Sequence, residues 1–175
     1  MTAPPSNPNS GPLGTTYQVG GTDSGGNDTT YKVRAVMVDQ QSPLAPYGSL
    51  TNPADHLAAV KFRITGVTGQ SSDDANTNAS VITGDTTQYQ AALDDTADGP
   101  NFSSGTFTVA PGQTVSGWVT FELPPGQGIA SVQWVPSSGL SDQAGTWIVA
   151  GAPPAGAWTS RPGYRTTSGA NGAAQ

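Results

Sequence analysis

The chain has 175 residues, which suits one domain and is short for two. It contains 23 Gly and 15 Pro but only 10% charged residues, and this composition excludes a helical bundle or coiled coil, which needs faces rich in Glu, Lys, Arg and Leu. The 12 acidic residues exceed the 6 basic ones, giving a formal net charge of −6 that argues against a nucleic-acid partner. The lack of cysteine excludes disulfides and thiolate metal sites, and no apolar run reaches the roughly 18 residues that a membrane span needs.

Both ends of the chain are rich in Pro, Gly, Ser, Thr and Asn. Their few sizeable apolar side chains cannot offset the entropy lost on ordering. We therefore predict a flexible linker over residues 1–29, in which Thr15–Val19 forms at most a short docked strand, and a flexible tail over residues 151–175. The folded domain is predicted over residues 30–150.

Inside that domain, apolar and polar residues alternate with a period of two, which is the pattern of half-buried strands. The alternation is clearest in Tyr31–Met37, Ala58–Thr65 and Thr114–Leu123. The side chains that it turns inward are those of Val33, Met37, Val60, Phe62, Ile64, Val119 and Phe121. Shorter strands are predicted at Ser80–Thr83, Thr87–Leu93, Gly105–Val109, Ile129–Val135 and Thr146–Val149. Pro and Gly separate these segments, and many short strands with such turns indicate an antiparallel sandwich or barrel.

Three stretches together resemble a known family, namely Tyr31–Val38, His56–Gly69 and Phe107–Pro136. Phe107–Pro136 matches an apolar–x–P-G-x-x-x-x-G-x-apolar–x–F-x-apolar–P pattern. The matching positions are Val109, Pro111, Gly112, Gly117, Val119, Phe121, Leu123 and Pro124. This pattern is similar to that of a telokin-like, immunoglobulin-like domain family of bacterial secreted and envelope proteins, most of them of unknown function. The resemblance implies a non-enzymatic sandwich that is exported, often behind a signal peptide or lipid anchor, and the chain itself shows neither after Met1.

His56 is the only imidazole in the chain, so any mechanism that uses histidine must use it. A hydrolase would combine it with Asp55 and a nearby serine, Ser42 or Ser49. The chain has no G-x-S-x-G turn, because the segment that begins at Gly139 lacks the closing glycine. We expect His56 to lie in a loop before a strand, and we expect no catalytic set, no zinc and no cofactor.

The densest acidic cluster is the segment DDTADG that begins at Asp94. Asp94, Thr96 and Asp98 stand at the alternating oxygen-ligand positions of a calcium loop, although the twelfth position is Gly105 rather than the usual Glu. A hairpin turn in which Asp binds its own backbone accounts for the cluster as well. Asp94 and Asp98 are therefore candidates for a weak calcium site, whereas Asp73–Asp74 is expected to be solvated.

Trp118 is the candidate ligand-binding residue. It falls on the polar face of its strand, between Ser116 and Thr120, out of phase with the buried residues. An exposed tryptophan on a sheet can stack on a sugar or contact a protein partner. The alternative is that a neighbouring loop, or Trp158 or Tyr164 of the tail, covers the ring.

Together these observations predict an all-β protein, an antiparallel immunoglobulin-like β-sandwich with disordered N- and C-terminal tails. We expect a non-enzymatic module for binding or structural display, located outside the cell or in the cell envelope, with a protein or a glycan as partner. The alternative is a structural module of a virion, such as a phage decoration or tail protein, or of a surface array. The oligomeric state stays open.

Overall fold

The computed structural model describes residues 9–141 and 143–151. Residues 1–8, residue 142 and residues 152–175 lie outside the described residues, and with them most of the predicted tail, including Trp158 and Tyr164. The described strands are β1 (Ser10–Pro12), β2 (Thr16–Thr22), β3 (Asp28–Asp39), β4 (His56–Thr68), β5 (Ser71–Asp74), β6 (Ala79–Thr83), β7 (Gln88–Gln90), β8 (Thr106–Val109), β9 (Thr114–Leu123), β10 (Ile129–Trp134) and β11 (Gly145–Ile148). Two helical turns, α1 (Ala75–Asn78) and α2 (Pro136–Gly139), and a 3-10 turn at Ser103–Gly105 complete the elements.

The strands form two main sheets, and the predicted antiparallel β-sandwich is confirmed. A five-stranded sheet has the order β1-β11-β10-β6-β7, and a four-stranded sheet has the order β2-β3-β4-β9. A small third sheet pairs β5 with β8. All described pairings between named strands are antiparallel except that of β1 with β11, which is parallel.

The core lies between the two main sheets and is dominated by aromatic side chains. Phe62 from the four-stranded sheet contacts Trp134 and Trp147 from the five-stranded sheet, with ring centroids 4.9 and 6.0 Å apart. All three side chains are fully buried. Burying a large apolar side chain is worth roughly 1.5–3 kcal/mol, so this cluster is a main source of the attraction between the sheets.

Met37 departs from the predicted inward row. Its side chain is 51% exposed, although Val33 and Ala35 on the same strand are fully buried. The reason is a β-bulge between Ala35 and Met37, where the register of β3 against β4 shifts by one residue. Because neighbouring side chains on a strand point to opposite faces, one inserted residue turns Met37 outward.

The N-terminal segment expected to be a flexible linker contains strands β1 and β2 and the start of β3. Tyr17 and Val19 of β2 are buried in the core, and the hydroxyl of Tyr17 donates to the Thr146 carbonyl oxygen at 3.0 Å. The indole N–H of Trp147 donates to the Thr15 carbonyl oxygen at 2.7 Å. The two apolar residues of β2 are two positions apart, so a single strand buries both side chains and also forms backbone hydrogen bonds with β3. Amino-acid composition alone does not reveal this spacing or this pairing.

Two glycines in the strands are required by close backbone approach. A Cβ atom on Gly66 would fall on the carbonyl oxygen of Ala110. A Cβ atom on Gly117 would lie 3.0 Å from the ring of Phe102. At Gly66 the backbone of a second segment leaves no space for a Cβ atom, whereas at Gly117 the contact is tight and Phe102 would have to shift to admit one.

Candidate functional site

The outer face of the four-stranded sheet carries a group of four cations. The register of β3 and β4 places Arg34 directly opposite Arg63, Lys32 opposite Thr65, and Met37 opposite Lys61. These side chains point away from the core, because the residues that alternate with them, such as Val33 and Phe62, are fully buried. We call Lys32, Arg34, Lys61 and Arg63 the basic face.

Three of the four cations of the basic face line an open cavity of about 390 Å³. The lining residues are Thr16, Lys32, Arg34, Arg63 and Thr65. The three cations are exposed to solvent. Within residues 9–141 and 143–151, no carboxylate oxygen lies within 4.0 Å of their charged nitrogen atoms. Two guanidinium forks, an ammonium group and two hydroxyls therefore share one solvent-accessible space.

The charge of this face is opposite to that of the chain as a whole. The formal net charge is −6, and the chain has six Lys and Arg residues, of which only Arg161 and Arg165 lie outside the described part. The four described cations all lie on this one face. A directly opposed pair of like charges, such as Arg34 and Arg63, destabilises a sheet, and a bound oxyanion between them would remove that repulsion. This arrangement can bind an anion.

Sequence patterns indicated this face only in part. Lys32 with Arg34, and Lys61 with Arg63, alternate with buried residues in two separate strands, so the sequence identifies two exposed pairs. That β3 and β4 are neighbours, and that Arg34 is paired with Arg63, follows from the register. The signal available beforehand was that both strands have cations on their polar sides.

Trp118, the predicted ligand-binding residue, lies on the outward side of β9 opposite Lys61, but only 7% of it is exposed. The chain around residue 101 runs along the edge of β9, where the Trp118 N–H donates to the Pro100 carbonyl oxygen at 2.9 Å. The Phe102 N–H donates to the Trp118 carbonyl oxygen at 3.3 Å. The Lys61 ammonium lies 5.9 Å from the ring centroid. The indole is therefore covered within the domain and is not presented for stacking.

Asp94 and Asp98 flank a loop that is held by hydrogen bonds within the chain. Thr96 between them is buried; its hydroxyl accepts from Ser42 at 2.6 Å and donates to the Pro43 carbonyl oxygen at 3.1 Å. One carboxylate oxygen of Asp94 accepts from a backbone N–H at 3.1 Å, whereas Asp98 is exposed. In the described part of the chain, no three or more His, Cys, Asp or Glu side chains group together so as to hold a metal. The calcium site stays a prediction from the sequence.

His56 is the first residue of β4 and is half-buried. Burial lowers the pKa of its imidazole, and the charge of Asp55 acts in the opposite direction. Ser42, a serine near it in sequence, donates its hydroxyl hydrogen to Thr96. The structure therefore places His56 inside a strand rather than in the loop expected before it, because its backbone pairs with Leu123 of β9, and the hydroxyl of Ser42 is engaged by Thr96.

A buried polar network that sequence reasoning missed is centred on Asp73, which is half-buried rather than solvated. One of its carboxylate oxygens accepts from the Asn78 amide at 2.7 Å, the Ser137 N–H at 3.1 Å and the Tyr31 hydroxyl at 3.3 Å. The Tyr31 oxygen in turn accepts from the Trp134 indole at 3.0 Å. Burial, followed by the charge of Asp73, raises the pKa of Tyr31 well above its ordinary value. The network joins both main sheets to α1 and α2, and the available signal was an inward tyrosine, which needs a partner for its hydroxyl when buried.

The helical turns α1 and α2 within residues 9–141 and 143–151 are four residues long, and no described helix could cross a lipid bilayer.

Comparison with known proteins supports the fold. No family model matches the chain, and no curated protein matches it. A matching solved structure is the crystal structure of MPT63, a secreted protein from Mycobacterium tuberculosis, with a TM-score of 0.57 and 18% sequence identity over 82% of this chain and 98% of that chain. The telokin-like family stays a prediction from the sequence motif, and what the comparison shows is that this chain has the fold of a β-sandwich.

Proposed function

We propose that this chain is an exported, non-enzymatic β-sandwich module that acts by binding a partner on its basic face. The observation that carries the proposal is the gathering of Lys32, Arg34, Lys61 and Arg63 on one exposed sheet face of an acidic chain. Unpaired surface charges of one sign attract an oppositely charged partner and raise its rate of association. The likeness to a secreted protein supports export.

Two side chains with catalytic potential, those of Asp73 and Ser42, have structural roles in the described domain, which supports a non-enzymatic function. The carboxylate of Asp73 accepts hydrogen bonds from Tyr31 and Asn78, and the hydroxyl of Ser42 is buried against Thr96. A general base must lie within hydrogen-bond reach of the group that it activates. His56 has no such contact with Ser42, whose hydroxyl donates to Thr96.

The proposed location is tested by adding a C-terminal epitope tag to the chromosomal gene in the organism of origin. Culture medium, envelope and cytosol are then separated, with a cytosolic enzyme as the marker of lysis. We expect the tagged chain in the medium or the envelope. Retention in the cytosol contradicts export, and co-sedimentation with phage particles supports the alternative of a virion module.

The lack of enzymatic activity is tested with a panel of ester, amide and glycoside substrates. We expect the full chain, His56→Ala and the surface control Gln90→Ala to give the same rates as buffer. Turnover that persists in Gln90→Ala and is lost in His56→Ala would show that the module is a hydrolase.

A further inference from the structure

The four cations of the basic face form a stripe along the strands. Lys61, Arg63 and Thr65 are successive outward residues of β4, so at about 3.3 Å per residue the stripe is roughly 13 Å long. Lys32, opposite Thr65, lies at one end, Lys61 at the other, and Arg34 faces Arg63 in the middle. Adjacent strands are about 4.8 Å apart, so the stripe is narrow. Its shape matches a linear ligand with several charges along its length.

The middle of the stripe brings two arginines to one open cavity. Arg34 and Arg63 both line the 390 Å³ cavity from directly opposed positions. A guanidinium group donates two parallel hydrogen bonds to a carboxylate or sulfate, which an ammonium group cannot do. Thr16 and Thr65 line the same cavity. The Thr65 hydroxyl shares a hydrogen bond with the Thr114 hydroxyl at 2.8 Å, and a hydroxyl that donates one hydrogen bond can still accept another.

The surroundings of the stripe favour a sugar polymer over a nucleic acid. Gln18, Thr114 and Ser116 are exposed residues in register with the cations and present amide and hydroxyl groups of the kind that bind sugar hydroxyls. Binding of single-stranded nucleic acid relies on exposed aromatic rings on which bases stack. Trp118 is the tryptophan on this face, and with only 7% of its surface exposed it offers no ring for stacking.

We propose that the basic face binds a linear anionic glycan, with a carboxylate or sulfate group held between Arg34 and Arg63 and further anionic groups near Lys32 and Lys61. The proposal rests on the binding role proposed above and gives its ligand class. Charge complementarity selects the glycan against neutral polysaccharides, and the hydroxyl and amide border supplies hydrogen bonds to the sugar rings.

The test measures binding to the full chain by isothermal titration calorimetry. The probes are a heparin hexasaccharide, which is sulfated, a hyaluronan hexasaccharide, which is carboxylated, and a dextran oligosaccharide of matched length as the neutral control. We expect one or both anionic probes to bind, with an affinity that falls as salt rises, and dextran not to bind. Failure of both anionic probes to bind overturns the proposal.

Substitutions locate the site. Arg34→Gln and Arg63→Gln are each expected to lower the affinity about tenfold, the equivalent of losing one charge-assisted contact. The matched control Arg165→Gln removes the same charge outside the described residues and should change the affinity less than about twofold. Equal losses in Arg165→Gln and Arg63→Gln overturn the proposal, because they would show an effect of net charge alone.

Both arginines are exposed, so the variants should fold. Arg63→Gln also removes a like-charge contact, and we expect it to melt at or above the temperature of the unchanged chain at low salt. If a glutamine variant does not fold, Arg63→Lys serves instead. Arg63→Lys keeps the positive charge but loses the two parallel hydrogen bonds of the guanidinium group, so we expect it to weaken binding several-fold. Unchanged affinity in Arg63→Lys overturns the role given to the guanidinium group.

Other occupants are tested with a thymidine dodecanucleotide and with vesicles of phosphatidylserine and phosphatidylcholine. Tighter binding of either than of the anionic hexasaccharides overturns the glycan proposal. The location experiment separates this failure from that of the proposed function. A chain found outside the cytoplasm that binds no glycan refutes the ligand class alone, whereas a cytosolic chain refutes the exported module.

Discussion

Replacing Tyr31 by phenylalanine removes one hydroxyl from the buried contact between the sheets. That oxygen accepts a hydrogen bond from the Trp134 indole at 3.0 Å and donates one to Asp73 at 3.3 Å. Tyr31 and Trp134 are fully buried, so water cannot replace the lost partner. The phenylalanine ring keeps the edge contact with Phe107, whose ring centroid lies 5.5 Å away. The substitution therefore changes polar contacts and leaves the packing in place.

The expected cost follows from the two hydrogen bonds. A hydrogen bond to a charged group contributes about 1.5–3 kcal/mol, and a buried donor left without a partner costs about 1–3 kcal/mol. The bond to Asp73 is long, so we expect Tyr31→Phe to lower the free energy of unfolding by about 2 kcal/mol at pH 7. For a chain of this size that corresponds to a decrease of roughly 4–8 °C in melting temperature.

The difference in unfolding free energy between Tyr31→Phe and the unchanged chain should depend on pH. Burial and Asp73 raise the pKa of Tyr31 above its ordinary value of 10.0, so the folded chain keeps the hydroxyl neutral while the unfolded chain ionises it. The stability that the group contributes is therefore complete below pH 10 and is lost above it, at about 1.4 kcal/mol per pH unit. A difference of about 2 kcal/mol should close near pH 11.5.

Urea unfolding followed by circular dichroism at ~pH 7, ~pH 9 and ~pH 11.5 measures this difference. Tyr47→Phe is the matched control, because Tyr47 donates to Asp95 at 2.8 Å but is 78% exposed, and we expect a change within about 0.5 kcal/mol. Equal stability of Tyr31→Phe and the unchanged chain at pH 7 would refute the role given to the hydroxyl. A difference that stays constant above pH 10 would refute the raised pKa.

Three further predictions concern the fold. A chain that starts at residue 30, where the sequence pattern places the domain, lacks β1 and β2. It therefore loses the roughly 3–6 kcal/mol of stabilisation from the two apolar side chains that β2 buries, and it should not unfold cooperatively in urea. Stability equal to that of a chain starting at residue 9 would contradict this prediction. Ser42→Ala removes the buried hydrogen bond to Thr96 and should lower the free energy of unfolding, measured in urea, by about 1 kcal/mol. The exposed control Ser72→Ala should change that free energy by no more than about 0.5 kcal/mol. Equal effects of the two substitutions would refute the importance of burial. Gly66→Ala places a Cβ atom on the carbonyl oxygen of Ala110 and should lower stability by about 3 kcal/mol, and an unchanged melting temperature would show that the two backbones can separate.

Strands β1 and β2 show what residue counting cannot measure, since the sequence predicted there at most a short docked strand over Thr15–Val19. Residues 1–29 have the composition of a linker, and the energy that orders β2 comes from a few residues with partners far along the chain. Tyr17 contacts Trp147, with ring centroids 5.0 Å apart, and Val19 lies beside Tyr31 in the sheet. Since those partners are 12 to 130 positions away in the sequence, no local pattern could predict that the segment is ordered.

The candidate site was likewise predictable from the sequence only in part. The alternation of apolar and polar residues puts Lys32 with Arg34, and Lys61 with Arg63, on the polar sides of two separate strands, and it puts Trp118 on the polar side of a third. The sequence left open whether Trp118 is presented to a ligand or covered by a neighbouring loop or the tail. The structure shows a buried ring on a strand whose edge makes backbone hydrogen bonds to the chain around residue 101.

The sequence by itself determined the class of secondary structure, because a period of two and the placement of Pro and Gly act within a few residues. It also determined the inward rows at Val33, Phe62 and Phe121, which are fully buried. Only the tertiary structure decided which strands are neighbours, where a bulge turns Met37 outward, and that Arg34 faces Arg63. Strand pairing and register arise from the burial of both sheets against each other, so the four cations become one site only when the whole sandwich has formed.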